Sequence, residues 1–157
     1  MARELKGEAN GQGLKIAVVV SRFNEAVTRK LLDGALEGLR SCKTDEGDIT
    51  IAWVPGSLEL GLTAKTLAES RKYAAIVCLG AVIKGETSHY DIVATQGTAA
   101  LARASLDTGV PIAMGVLTTE SMEQAMDRAG GKVGNKGHDA ALAALEMANL
   151  MRLIKEL

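Results

Sequence analysis

Aromatic side chains are scarce in this 157-residue chain: one Phe, one Trp and two Tyr make up 3% of it. Proline and cysteine are equally rare, with two of each. Each shortage excludes something. Four rings are too few for a base-stacking platform. Eighteen Lys+Arg against 19 Asp+Glu leave a net charge of −1 and no markedly basic stretch, so no nucleic-acid partner is expected. Cys42 and Cys78 share no zinc-site spacing and form no disulfide framework, and are expected as reduced thiols. No His/Cys/Asp/Glu cluster has metal-ligand spacing. The longest apolar run, Tyr73 to Ile83, is 11 residues, too short to cross a bilayer, so no membrane partner is expected. Residues 1–14 are polar and carry both charges, without the apolar segment of a secretory signal.

What is present is small and aliphatic. Apolar residues are 47% of the chain, and 24 Ala and 17 Gly dominate it. A chain of this length buries roughly 70% of its unfolded surface as one domain. The expected organisation is a polar arm, 1–14, and a single domain, 15–157. The arm is free to stay disordered or to add a strand to a neighbouring subunit.

Two periods alternate along the domain. Ile16–Val20 is a β-branched run that predicts a buried strand. From Glu25 the apolar residues Val27, Leu31, Leu32, Ala35, Leu36 and Leu39 fall on one helical face. Ile49–Val54 predicts a second strand, and Leu60, Ala64, Leu67 and Ala68 a second helix. Ala74–Val82 is apolar on both faces and predicts a central strand. A helix from His89 to Asp107, a strand over Ile112–Val116, and a short helix carrying Met122, Ala125, Met126 and Ala129 follow. Gly130–Gly137 reads as a loop, and His138–Glu156 as the last helix. Four β-α units in alternation predict a parallel sheet with helices on both faces.

Ligands of such sheets bind beyond the carboxyl ends of the strands. That rule selects Ser21–Asn24, Pro55–Glu59, Ile83–His89 and Leu117–Glu120. Classical nucleotide motifs are missing: Gly11-Gln12-Gly13 precedes a strand and lacks the third glycine, and Gly130–Gly137 follows a helix without a Lys-Ser/Thr pair. The third loop is the richest. Gly85 permits close backbone approach, Thr87 or Ser88 is placed to cap a helix, and the free N–H groups of that helix start attract a phosphate. His89 follows in the first turn as a general acid/base candidate. Glu59 is placed either to bind hydroxyls or to supply a favourable charge to a helix start. Phe23 suits either stacking on a flat ring or core packing. Arg128, Lys132 and Lys136 form either a solvated surface or a phosphate clamp. His138 is assigned to the surface.

Five segments in register resemble one known family. They are Arg22-Phe23-Asn24; Val54-Pro55-Gly56-Ser57-Leu58-Glu59; Leu79 through Lys84-Gly85-Glu86-Thr87-Ser88-His89-Tyr90; Gly115-Val116-Leu117-Thr118; and Arg128 through Gly130-Gly131-Lys132-Val133-Gly134-Asn135-Lys136-Gly137. From about Lys15 to the C-terminus the chain is similar to lumazine synthase, which acts in the penultimate step of riboflavin biosynthesis. The resemblance implies a three-layer α/β/α sandwich with a four-stranded parallel sheet of flavodoxin-like type. It implies a condensation of 5-amino-6-(D-ribitylamino)uracil with 3,4-dihydroxy-2-butanone 4-phosphate, without cofactor or metal. By position it implies Phe23 stacking on the pyrimidine and Ser57, Leu58 and Glu59 holding the ribityl chain. Ala81, Val82 and Ile83 would bind the pyrimidine through their backbone. Glu86 and Thr87 would bind phosphate with Arg128 of an adjacent subunit, assisted by Lys136, and His89 would transfer protons. It also implies a homopentamer with shared sites, a 60-subunit icosahedral shell, association with riboflavin synthase, and a cytoplasmic setting or a plastid stroma after transit-peptide removal. The alternatives are an archaeal-type riboflavin synthase of similar fold and a catalytically weak, shell-forming flavin binder.

Two positions depart from the family pattern. Leu58 and Met114 stand where the family usually has aromatics. Both keep apolar contact and lose ring stacking. Leu58→Phe and Met114→Phe are each expected to lower the Michaelis constant for the uracil substrate with turnover preserved. Steady-state kinetics showing no such decrease would sink the stacking account.

Overall fold

The computed structural model describes residues 1–85 and 88–157. Four parallel strands, β1 (Ile16–Ser21), β2 (Ile49–Val54), β3 (Ala75–Ile83) and β4 (Ile112–Thr119), pair in the order β2-β1-β3-β4. The helices are α1 (Glu25–Ser41), α2 (Leu60–Glu69), α3 (His89–Thr108), α4 (Met122–Asp127) and α5 (Lys136–Lys155). A small antiparallel hairpin, β5 (Ala129–Gly131) with β6 (Gly134–Asn135), joins α4 to α5.

The sheet divides the core in two. On one face Val18, Val20, Val77 and Leu79 meet Leu31 and Leu39 of α1 and Ala141, Ala144 and Leu145 of α5. On the other, Ala17, Val19, Ile76 and Cys78 meet Leu60 and Ala64 of α2 and Leu101 of α3. Alternate residues of one strand therefore serve opposite layers, which makes a three-layer α/β/α sandwich. Strand β3, buried on both faces, is internal; β2 is an edge strand with Ile51 and Trp53 exposed. Burial desolvates the Cys78 thiolate and pushes its pKa up, so Cys78 is an inert core thiol.

The abundance of small residues has a packing consequence. A Cβ on Gly61 of α2 would lie 2.7 Å from the Ala100 Cβ of α3, so these helices meet almost backbone to backbone. Part of the alanine and glycine content is thus consumed in contacts inside the chain.

Several boundaries differ from the sequence reading. Strand β4 runs three residues beyond Val116, because β3 extends to Ile83 and Thr119 remains paired with it. The expected strand-end loop Leu117–Glu120 is therefore mostly strand. The expected glycine loop holds the β5-β6 hairpin, with positive φ at Gly130, where the ladder register shifts, and at Gly134, beside the turn. Helix α5 starts at Lys136 rather than His138, because the Asn135 side chain accepts from the Gly137 and His138 N–H groups. The arm forms no strand in this chain. Asn149 of α5 donates to the carbonyls of Glu8 (2.6 Å) and Asn10 (2.9 Å), and Gly11 N–H donates to Cys42 O. These bonds hold three backbone groups of residues 8–11 on the chain's own helices.

Gly61→Val is expected to destabilise the fold by about 1–3 kcal/mol through overpacking against Ala100. Urea denaturation checks this; an unchanged midpoint would mean that α2 and α3 separate freely.

Candidate active site

The carboxyl ends of β1, β2 and β3 open into a cavity of about 460 Å³. Three chain segments build it. The loop after β1 brings Phe23, whose ring is 70% exposed at the rim. The turn after β2 brings Pro55 to Glu59, and the overhanging end of β3 with the start of α3 supplies the rest.

The overhang creates usable backbone. Ile76 N–H donates to Pro111 O and Lys84 N–H to Thr119 O, so even-numbered residues of β3 face β4. Odd-numbered residues face β1, whose ladder with β3 ends at Val20 and Leu79. Ala81 and Ile83 therefore direct their N–H and C=O groups to the side where β1 has stopped. The Ala81 carbonyl accepts from Asn24 Nδ2 at 2.9 Å. Ile83 keeps its orientation toward the cavity, suited to the edge of a planar amide-bearing ring.

Asn24 was not among the candidates read from the sequence. It adopts a left-handed conformation (φ 60°, ψ 46°) at the start of α1 and makes no side-chain cap there. Its amide instead spans 57 positions of sequence to Ala81. The same residue thus turns the chain, places Phe23 at the rim and fills the slot that β1 leaves. Asn tolerates positive φ better than other side chains do, which explains its use here.

Ser57 forms the floor. It is buried, and a Cβ on Gly80 would lie 2.7 Å from its Oγ. A Cβ on Gly97 of α3 would lie 3.3 Å from its carbonyl. Leu58, 44% exposed, and Glu59 stand on the same one-turn helix, Ser57–Glu59, and both line the cavity. Glu59 also lies at the start of α2, so both readings of its charge are compatible with its position. Val82 and Ala81 contribute apolar wall. His89, Tyr90 and Val93 line the side formed by the first turn of α3. Tyr90 belongs to the segment that carries the resemblance; Val93 was not a candidate, and its place four residues after His89 on one helix was the available signal.

Ser88 does not cap α3 with its side chain, and its backbone is already helical. The phosphate candidates Glu86 and Thr87 lie outside the described residues. Met114 lies on β4 opposite Cys78, 47% exposed and away from the cavity. Arg128 closes α4 and donates from Nη1 to Gln124 O, while Lys136 opens α5. Neither lines the cavity of its own chain. Trp53, two residues before a cavity turn, does not line the cavity: its ring lies under the Arg29 guanidinium, 5.0 Å from the ring centroid, on the edge strand. His138 sits half-buried in the first turn of α5, away from the cavity. Among the described residues no three His/Cys/Asp/Glu side chains gather as a metal site, and no helix is long and apolar enough to cross a membrane.

Taken together, sheet order and cavity define a doubly wound α/β protein with a cavity at its strand ends, where sheets of this kind bind ligands. The family model for 6,7-dimethyl-8-ribityllumazine synthase matches residues 13–152. The chain belongs to that family, whose enzymes act in riboflavin biosynthesis.

Asn24→Gly keeps the positive φ and removes the tether to Ala81. It is expected to cost about 1–3 kcal/mol, the penalty of a buried carbonyl left unpaired. Asn24→Ala should cost about 1–2 kcal/mol more, because alanine resists the left-handed conformation. Equal urea midpoints for the two variants would refute the backbone account. An unchanged midpoint for Asn24→Gly would refute the tether.

Proposed function

We propose that the protein condenses 5-amino-6-(D-ribitylamino)uracil with 3,4-dihydroxy-2-butanone 4-phosphate to give 6,7-dimethyl-8-ribityllumazine, a transferase reaction of riboflavin biosynthesis. The observation that carries the proposal is the convergence, in a chain of this family, of Phe23, Ser57, Leu58, Glu59, Ala81–Ile83 and His89 on one cavity. The amine of the uracil attacks the ketone, water leaves to give the imine, phosphate is eliminated, and the ring closes with loss of water.

Each residue has a part that its placement supports. Phe23 covers the pyrimidine face, and Ile83 offers its backbone to the ring edge. Ser57 and Glu59 take hydroxyls of the ribityl chain, and Leu58 packs against it. His89, at the mouth of α3, carries protons between the imine and the leaving phosphate. Holding two reactants in one cavity removes much of the entropic barrier, so one proton carrier suffices.

A phosphorylated substrate also needs positive charge. Among the described residues the cavity lining carries Glu59 and His89 and no Lys or Arg. This supports a second copy completing the site with Arg128 and Lys136; a homopentamer able to assemble further into a 60-subunit shell, with Met114 also facing a neighbour, is the arrangement the family resemblance implies. The exposed stripe Ile92, Gln96, Ala99, Arg103 and Leu106 on α3 offers a face for such contact.

Mixing both substrates should yield lumazine fluorescence and inorganic phosphate. Riboflavin formed from lumazine alone would instead favour the riboflavin synthase reading, and binding without turnover the weak flavin binder. His89→Ala should lower kcat by about 10²-fold with little change in either Michaelis constant. Unchanged turnover would remove the proton-transfer role. Light scattering should give a mass of five subunits or a multiple of five; a monomer or dimer would refute the shared site.

A further inference from the structure

Asn135 has more specific contacts than any hairpin residue of its type requires. Its Oδ1 accepts from Gly137 N–H at 2.8 Å and His138 N–H at 3.1 Å, capping α5. Its Nδ2 donates to the Lys30 carbonyl of α1 at 3.0 Å, across 105 positions of sequence. A Cβ on Gly34 of α1 would overlap the Asn135 amide, and a Cβ on Gly137 would overlap Leu31 O. Two missing side chains thus make the slot that the carboxamide fills. The cap alone would explain the Oδ1 contacts. It does not explain the amide on Lys30, which holds the hairpin at a fixed position on α1.

The other end of that hairpin is Arg128. Asn135 pairs with Ala129 in the β5-β6 ladder, and Lys136 N–H donates to Arg128 O at 2.9 Å. Both cations therefore flank Asn135 within one backbone unit. We propose that Asn135 is a positioning residue: its carboxamide ties the 129–135 hairpin to α1 and so sets where Arg128 and Lys136 present their charges to the phosphate of the substrate. This rests on the assignment of Arg128 to phosphate given above. Asn135 itself touches no substrate; it acts through the hairpin.

Two variants keep the cap and remove the tether. Asn135→Ser retains a side-chain oxygen for the α5 N–H groups, and Asn135→Asp retains Oδ1; neither donates reliably to Lys30 O. In the full-length assembled protein, both should raise the Michaelis constant for the butanone phosphate about fivefold or more, with kcat and the uracil constant near wild type. Arg128→Ala should raise the same constant, and adding Asn135→Ser to the Arg128→Ala/Lys136→Ala double variant should have no further effect. A loss of thermal stability with both Michaelis constants unchanged would make Asn135 a structural cap only and overturn the inference. So would a further rise when Asn135→Ser is added to the variant lacking both cations, since Asn135 would then act independently of Arg128 and Lys136. If Arg128→Ala itself leaves the butanone constant unchanged, the phosphate assignment fails first, and this inference with it.

Discussion

The molecule depends on one strand that outruns its neighbour. β3 is buried on both faces and paired with β4 along its length, while β1 stops at Ser21. A buried strand end with unpaired backbone on one side is costly, because each orphaned group forfeits its hydrogen bond. The fold meets that cost in two ways. Asn24 reaches across to the Ala81 carbonyl, and the remaining backbone at Ile83 is left facing a cavity where a ligand can pair with it. The site is therefore the unfinished part of the sheet. Its position follows from strand lengths before any catalytic side chain is considered.

The small-residue composition serves the same geometry. The Ser57 turn reaches the floor of the cavity because Gly80 and Gly97 leave room for it, and α2 closes on α3 because Gly61 faces Ala100. Larger residues at these points would push α3 outward and carry His89 away from Ser57. Interiors pack near crystal density, so such shifts are transmitted rather than absorbed. The lack of aromatics is thus a consequence of short interlayer distances. Of the four rings, Phe23 and Tyr90 line the cavity, whereas Trp53 and Tyr73 lie near the edge strand, Tyr73 donating from its hydroxyl to Thr50.

The sequence carried the layers and the location of the cavity well, and the tethers poorly. The apolar run Ala74–Val82 could only be an internal strand, and the α1 stripe from Val27 to Leu39 could only face a core. Both are local patterns of period 2 or 3.6. The extension of β4 to Thr119 was hidden, because it is decided by the length of β3 rather than by residues 117–119. Asn24 and Asn135 were hidden for a related reason. Each looks like an ordinary turn or cap residue, and the bond that gives it meaning lies 57 or 105 positions away. Trp53 shows the converse: it is close in sequence to a cavity turn, yet its ring packs under Arg29 on the edge strand.

The electrostatics of the cavity bear on the assembly. A phosphate monoester near neutrality carries close to two negative charges, and the described lining of one chain offers it a carboxylate, an imidazole and apolar wall. Burying that charge against Glu59 without a cation would be unfavourable by several kcal/mol. Lys84 is exposed beyond the end of β3 and does not line the cavity, and Arg128 and Lys136 are held on a hairpin that packs against α1 on the other side of the sheet. Reaching back around the sheet would require breaking the Asn135 tether and the α5 cap together. In the proposed assembly, a neighbouring copy would bring the same hairpin to the open mouth without disturbing either. On the proposed reading, the contact that keeps Arg128 out of its own chain's cavity is the one that makes it available to the next, so activity is tied to assembly by the fold of the single chain.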